Sequence, residues 1–78
     1  MSDPQHYVLS VPQISCNHCK MAIESAVRGL GGVIEVEVEV PDKTVSVRFD
    51  ADALTLQGIR RAIEEEGYTV AGAHELDG

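Results

Sequence analysis

A chain of 78 residues holds one domain with a modest core, which leaves no room for a large substrate cleft or a second cofactor domain. Hydrophobic residues make up 44% and aromatics only 4%, with no Trp, so the chain is expected to fold around an aliphatic core. Lys plus Arg number 6 against 13 Asp plus Glu, and the resulting charge of -7 repels phosphate backbones and anionic lipid surfaces, which excludes nucleic-acid and membrane-surface roles.

In chain order, the opening MSDPQHYVLSVPQ has neither a basic leader nor a continuous apolar stretch, and no apolar run nears membrane-spanning length, so a cytoplasmic location is expected. Tyr7, Leu9 and Val11 alternate with Val8, Ser10 and Pro12, which predicts a first strand over about residues 6 to 12. Cys19, Ile23, Ala26, Val27 and Leu30 then fall at helical spacings from about residue 17, with Gly31-Gly32 as the stop and Ser15 or Asn17 able to cap the start. Residues 33 to 40 place Ile34, Val36, Val38 and Val40 on one side and Glu35, Glu37 and Glu39 on the other. Pro41-Asp42-Lys43-Thr44 is turn chemistry, and Val45, Val47 and Phe49 alternate after it. The hairpin register expected from this pattern sets Val40 opposite Val45, Val38 opposite Val47, Val36 opposite Phe49 and Glu37 opposite Arg48.

Thr55 is placed to cap a second helix with Leu56, Ile59, Ala62 and Ile63 as its apolar stripe, ended by Gly67. Arg60 with Glu64 and Arg61 with Glu65 stand at the i,i+4 spacing. Tyr68 to Ala71 reads as the last strand, giving a core over about residues 6 to 71 and a polar tail, residues 72 to 78, expected to fray. The order strand, helix, strand, strand, helix, strand predicts an α+β ferredoxin-like βαββαβ sandwich: an antiparallel four-stranded sheet with two helices on one face. The glutamates then belong to the wet face of the sheet and need no functional partner.

Chemistry concentrates at Cys16-Asn17-His18-Cys19, where the first strand passes into the first helix. Two cysteines are too few for a disulfide framework, and so close in sequence they are reactive or metal-binding in character. Orphan N–H groups and the positive end of the helix dipole favour thiolates there. Two soft thiolates without further donors suit Cu(I), which accepts low coordination, better than Zn(II); the absence of a carboxylate cluster excludes magnesium and calcium. Lys20 reads either as a charge-compensating neighbour or as an ordinary helix lysine. His18 between the cysteines is expected to be exposed, and His6 and His74 are surface histidines. Charge is uneven along the chain: Asp3 and Glu24 balance Lys20 and Arg28 in residues 1 to 30, so the whole deficit belongs to residues 31 to 78.

Cys16-x-x-Cys19 is followed by Ile23-Glu24, Ala26-Val27, Gly32-Val33, Ala62-Ile63-Glu64 and Gly67-Tyr68. In these residues, over about residues 6 to 71, the chain resembles the heavy-metal-associated domain family, which includes the small bacterial copper chaperones and the N-terminal domains of copper-transporting P-type ATPases. The resemblance implies a cytosolic carrier, not an enzyme, that holds Cu(I) through Cys16 and Cys19 and passes it by thiolate exchange to a cytosolic domain of such an ATPase. Tyr68 stands where bacterial members often place a tyrosine near the metal, to shield it or simply to pack. Gln13-Ile14-Ser15 replaces the usual Gly-Met-Thr; Ile14 keeps an apolar anchor and Ser15 keeps the hydroxyl. No Asp precedes Cys16, which argues against the zinc, cadmium and lead branch.

Other readings share the motif. A thiol-disulfide oxidoreductase would use CxxC at a helix start, but it would need a larger chain and a cis-proline loop, and only Pro4, Pro12 and Pro41 are present. A metal-binding regulatory domain of a larger pump, a zinc or mercury carrier, and a homodimer bridged by Cu(I) complete the set. A neutral thiol-bearing tip on an acidic body implies a more basic partner.

Overall fold

In the computed structural model, which describes residues 4–76, the elements are β1 (Gln5–Ser10), α1 (Asn17–Arg28), β2 (Val33–Glu39), β3 (Thr44–Phe49), α2 (Leu56–Glu65) and β4 (Gly72–Leu76). The strands pair antiparallel in the order β2-β3-β1-β4, and both helices cover one face, giving the ferredoxin-like sandwich. Ile23 and Val27 in α1, and Ile59 and Ile63 in α2, are four residues apart and so project from one side of each helix. They meet Leu9, Val36, Val38, Val45, Val47 and Phe49 from the sheet, while Val11, Ile14 and Val70 extend the core beneath the loops. Tyr7 stacks on Phe49 with ring centroids 5.8 Å apart.

Thr55 caps α2 as expected, its hydroxyl accepting from Gly58 N–H at 3.2 Å. Arg60 reaches Glu64 at 3.6 Å. Helix α1 stops before the Gly31-Gly32 pair, at Arg28, where Gly29 N–H returns to Ser25 O at 3.1 Å. Gly32 serves the turn into β2 instead: its φ is +103°, and a Cβ there would meet Ala53 Cβ at 2.9 Å.

The hairpin differs from the expected register by two residues. Val38 faces Val45, Val36 faces Val47, Glu37 faces Ser46 and Glu39 faces Thr44. A slide of two preserves the faces, which is why periodicity could not detect it. The turn begins one residue early, at Val40, whose C=O accepts from Lys43 N–H at 3.2 Å, and Lys43 takes a left-handed backbone with φ 56°. At the far end a bulge brings Val33, not Val36, opposite Phe49 and Glu35 opposite Arg48. Ile34 is the extra residue of that bulge, and it is 56% exposed rather than part of the buried row.

Strand β1 ends at Ser10, two residues early, and one further rung in the same register follows it, Val11 N–H to Lys43 O at 2.9 Å. The last strand is also displaced. Tyr68 to Ala71 are an extended connection, and the segment expected to fray supplies β4, with Ser10 opposite Gly72 and His6 opposite Leu76. All five β4 residues are exposed, so backbone pairing to β1 holds this edge without apolar burial. Among the described residues no helix is long and apolar enough to cross a membrane.

Candidate metal centre

Pairing of Ser10 with both Thr44 and Gly72 fixes where the loops fall. The segment after β1, the β2-β3 turn and the connection into β4 all emerge at one end of the sheet. Ile14 is fully buried there and folds its loop onto the core, with its N–H bonded to Val11 O at 3.1 Å. Its carbonyl accepts from Lys43 Nζ at 2.9 Å, which joins the loop to the hairpin turn.

Cys16 is the N-cap of α1, with extended φ −157° and ψ 173°, and its side chain makes no capping hydrogen bond. The expected caps do not act: Asn17 is the first helical residue, and the Ser15 hydroxyl lies 4.0 Å from Cys19 Sγ. One sulfur thus stands at the position usually taken by a capping oxygen, beside the N–H groups of the first turn. Cys19, one turn on, is half-buried against the core, while Cys16 is exposed. The sulfurs are 3.7 Å apart and both are free. That separation exceeds the S–S bond of about 2.05 Å and lies within the reach of two metal–sulfur bonds of about 2.3 Å each.

The Cys19 thiol, ordinarily near 9.0, is held down to about 6. The largest cause is a hydrogen bond from the Tyr68 hydroxyl, followed by a backbone contact at Ser15; partial burial opposes them and Cys16 adds smaller pulls. Tyr68 is pushed up in return, first by that same bond and then by its own burial. The helix start was the expected source of thiolate stabilisation, yet the leading contribution to Cys19 comes from a loop near the other end of the sequence. Lys20 is half-buried and its charge is felt at Glu39 on β2; it is not among the groups that hold Cys19 down. Asn17 and His18 are exposed on the first turn. Among the described residues no three His, Cys, Asp or Glu side chains are grouped to hold a metal, so the two thiols are the soft donors on offer.

Two residues at this end were not singled out by sequence reasoning. Lys43 looked like an ordinary turn residue; nothing local marks its bond to a carbonyl 29 positions away. Gln13 did carry a signal, as the departure from glycine. Lys43 is the one non-glycine residue of positive φ among the described residues, so position 13 does not require glycine, and the Gln13 side chain accepts a 2.6 Å bond from Thr69 N–H.

Residues 8–69 match the model of the heavy-metal-associated domain. The chain is similar to the copper chaperone CopZ of Staphylococcus aureus (strain MRSA252), 40% identical over 63 residues that cover 81% of this chain and 93% of the relative. Among solved structures it is similar to a CopZ metallochaperone, with TM-score 0.82 and 36% identity, covering 85% of this chain and 98% of the other. It also shares its fold with the Cu(I)-loaded N-terminal domain of a potential copper-translocating P-type ATPase from Bacillus subtilis, at TM-score 0.83 and 19% identity, covering 97% and 99%.

Proposed function

This chain belongs to the heavy-metal-associated domain family, and on that premise we propose that it is a cytosolic copper(I) metallochaperone, a carrier rather than an enzyme, with residues 1–78 acting as a single domain. Cys16 and Cys19 bind the ion. The observation that carries the reading is the pair of free thiols 3.7 Å apart, with no third soft ligand grouped beside them among the described residues. Two soft donors satisfy Cu(I) and leave Zn(II) short of its four. A reducing cytosol keeps both sulfurs available.

The roles divide by exposure. Cys16 at the tip is the sulfur an incoming thiolate reaches first, while Cys19 stays under Tyr68 as the retained ligand. Transfer proceeds by exchange: a partner thiolate joins the ion, one of the two sulfurs of this chain leaves, and the copper keeps its oxidation state throughout. The partner we propose is a cytosolic domain of a copper-transporting P-type ATPase. The shared fold supports this choice, since such a domain would present a tip of the same shape. A body of net charge -7 favours a more basic partner face, so raising ionic strength should weaken the association.

The lowered thiol also bears on the oxidoreductase alternative. An attacking nucleophile needs to be an accessible thiolate, and here the sulfur held down is the half-buried Cys19. The deciding experiment titrates Cu(I) against a chromophoric competing chelator under reducing conditions. The parent chain should capture the ion, and Cys16→Ser/Cys19→Ser should not. Equal behaviour of the two proteins, or retention of zinc in preference to copper after anaerobic purification, would overturn the proposal.

A further inference from the structure

Lys43 is fixed at three points, two of them on its own backbone. Its N–H closes the hairpin turn on Val40 O at 3.2 Å, and its C=O accepts from Val11 N–H at 2.9 Å, just past the end of β1. Its φ of 56° is a backbone that glycine or asparagine takes more readily than lysine. Both are shorter than the side chain that the third point uses, an ammonium that donates to Ile14 O at 2.9 Å, 29 positions earlier in the chain.

Ile14 is the last buried residue before Cys16. Its side chain is held in the core and its N–H is bonded to Val11 O at 3.1 Å. The rotation between its Cα and its carbonyl carbon then sets the direction in which the chain departs. Because the Ile14 oxygen and the Ser15 nitrogen share one rigid peptide plane, a bond to that oxygen sets the rotation. Cys16 follows two residues on, its sulfur 3.7 Å from that of Cys19.

We propose that Lys43 is a positioning residue of the thiol site: by holding the Ile14 carbonyl it fixes the peptide plane from which the chain leaves for Cys16, and so sets where that sulfur stands beside Cys19. Lys43 acts through the backbone and need not touch the ion. A loop already fixed spares Cu(I) the cost of ordering it on binding. That consequence rests on the copper reading; the fixing of the loop belongs to the metal-free protein.

The test compares the parent with Lys43→Met, which keeps the stem and removes the donor, and with Lys43→Arg, which keeps a donor. Thr55→Ala is the control, since it removes the cap of α2 and lowers overall stability without touching the tip. Backbone 15N relaxation is read on the reduced, metal-free protein. Order parameters at Ser15 and Cys16 should stand near the rigid value of about 0.85 in the parent and fall below about 0.6 in Lys43→Met. Lys43→Arg and Thr55→Ala should both resemble the parent. In competition with a chelator at one fixed pH, Lys43→Met should bind Cu(I) about fivefold more weakly, the worth of one ordinary hydrogen bond, and Thr55→Ala should bind as the parent does. Unchanged order at Ser15 and Cys16 in Lys43→Met, or an equal weakening in Thr55→Ala, would overturn the role of Lys43. Failure of the parent itself to capture Cu(I) would overturn the copper reading alone, and relaxation, measured without metal, would still decide for or against Lys43.

Discussion

At the thiol tip, single side chains reach across long stretches of sequence: Gln13 to Thr69, Lys43 to Ile14 and Tyr68 to Cys19. The open face of the sheet is built by repetition, with Glu35, Glu37 and Glu39 brought to one side by the two-residue period of β2. The two regions treat negative charge in opposite ways. At the tip, a hydroxyl and backbone groups converge so that a thiolate forms readily at Cys19. On the face, carboxylates crowd one another, and Glu39 is pushed up, chiefly by a shared hydrogen bond with Glu37 and by its charge. Charge at the tip is what the proposed carrier would offer to its ion, whereas charge on the face is a by-product of keeping one side of the sheet wet.

The sharpest contrast lies between two isoleucines. Ile14 at the tip is fully buried, and Ile14→Ala should cost about 2–5 kcal/mol in urea unfolding, the usual range for truncating a buried aliphatic side chain. Ile34→Ala on the bulge should stay within about 0.5 kcal/mol, because 56% of that residue is already in solvent. Equal costs would break the comparison, since the tip would then be an appendage and not an extension of the core. A smaller effect is expected at Lys43. Lys43→Met keeps the aliphatic stem and removes the bond to Ile14 O, for a loss of about 1 kcal/mol.

The same contrast explains what could be read in advance. Ile23 with Val27, Ile59 with Ile63, and Val45 with Val47 sit at the helix and strand periods, so the element order and buried faces were legible. Cys16 and Cys19 were legible as a pair because they are close in sequence. Strand β4 was not, because its five exposed residues carry no apolar period and its support is the β1 backbone. Ile34 misled because alternation cannot announce a bulge that inserts one residue. Cys16 as N-cap was hidden between Ser15 and Asn17, both better capping residues by composition. Gln13 and Lys43 depend on loops that only the completed sheet brings together.

Acidity separates the two regions without mutation. Cys19 titrates near 6 in the folded chain and near 9.0 when unfolded, so between these values the unfolded state binds more protons. Its contribution to stability is complete above pH 9.0 and is lost progressively as pH falls to about 6. Glu39 has the opposite sign: its folded pKa lies above 4.5, so its contribution is present below 4.5 and lost as pH rises through the folded value. Denaturant midpoints of the reduced, metal-free protein should therefore rise with pH across the upper window, and Cys19→Ser should flatten that rise. A rise of equal slope in the variant would show that the tip does not favour the thiolate.

The smallest effect belongs to the face. In Glu39→Gln the side chain keeps its shape and can still bond Glu37, but the repulsion from Glu37 and Asp42 disappears. The variant should be slightly more stable than the parent at neutral pH and lose that advantage at pH 4, where Glu39 is largely protonated and the parent carries little charge there to relieve. Copper capture should be unchanged, because the carboxylate lies on β2 and outside the set of groups acting on Cys19. A gain that persisted in acid would come from packing and not from charge. A change in copper capture would mean that the face influences the tip, most directly through Lys20, whose charge is felt at Glu39 and would be freed when that partner is neutral.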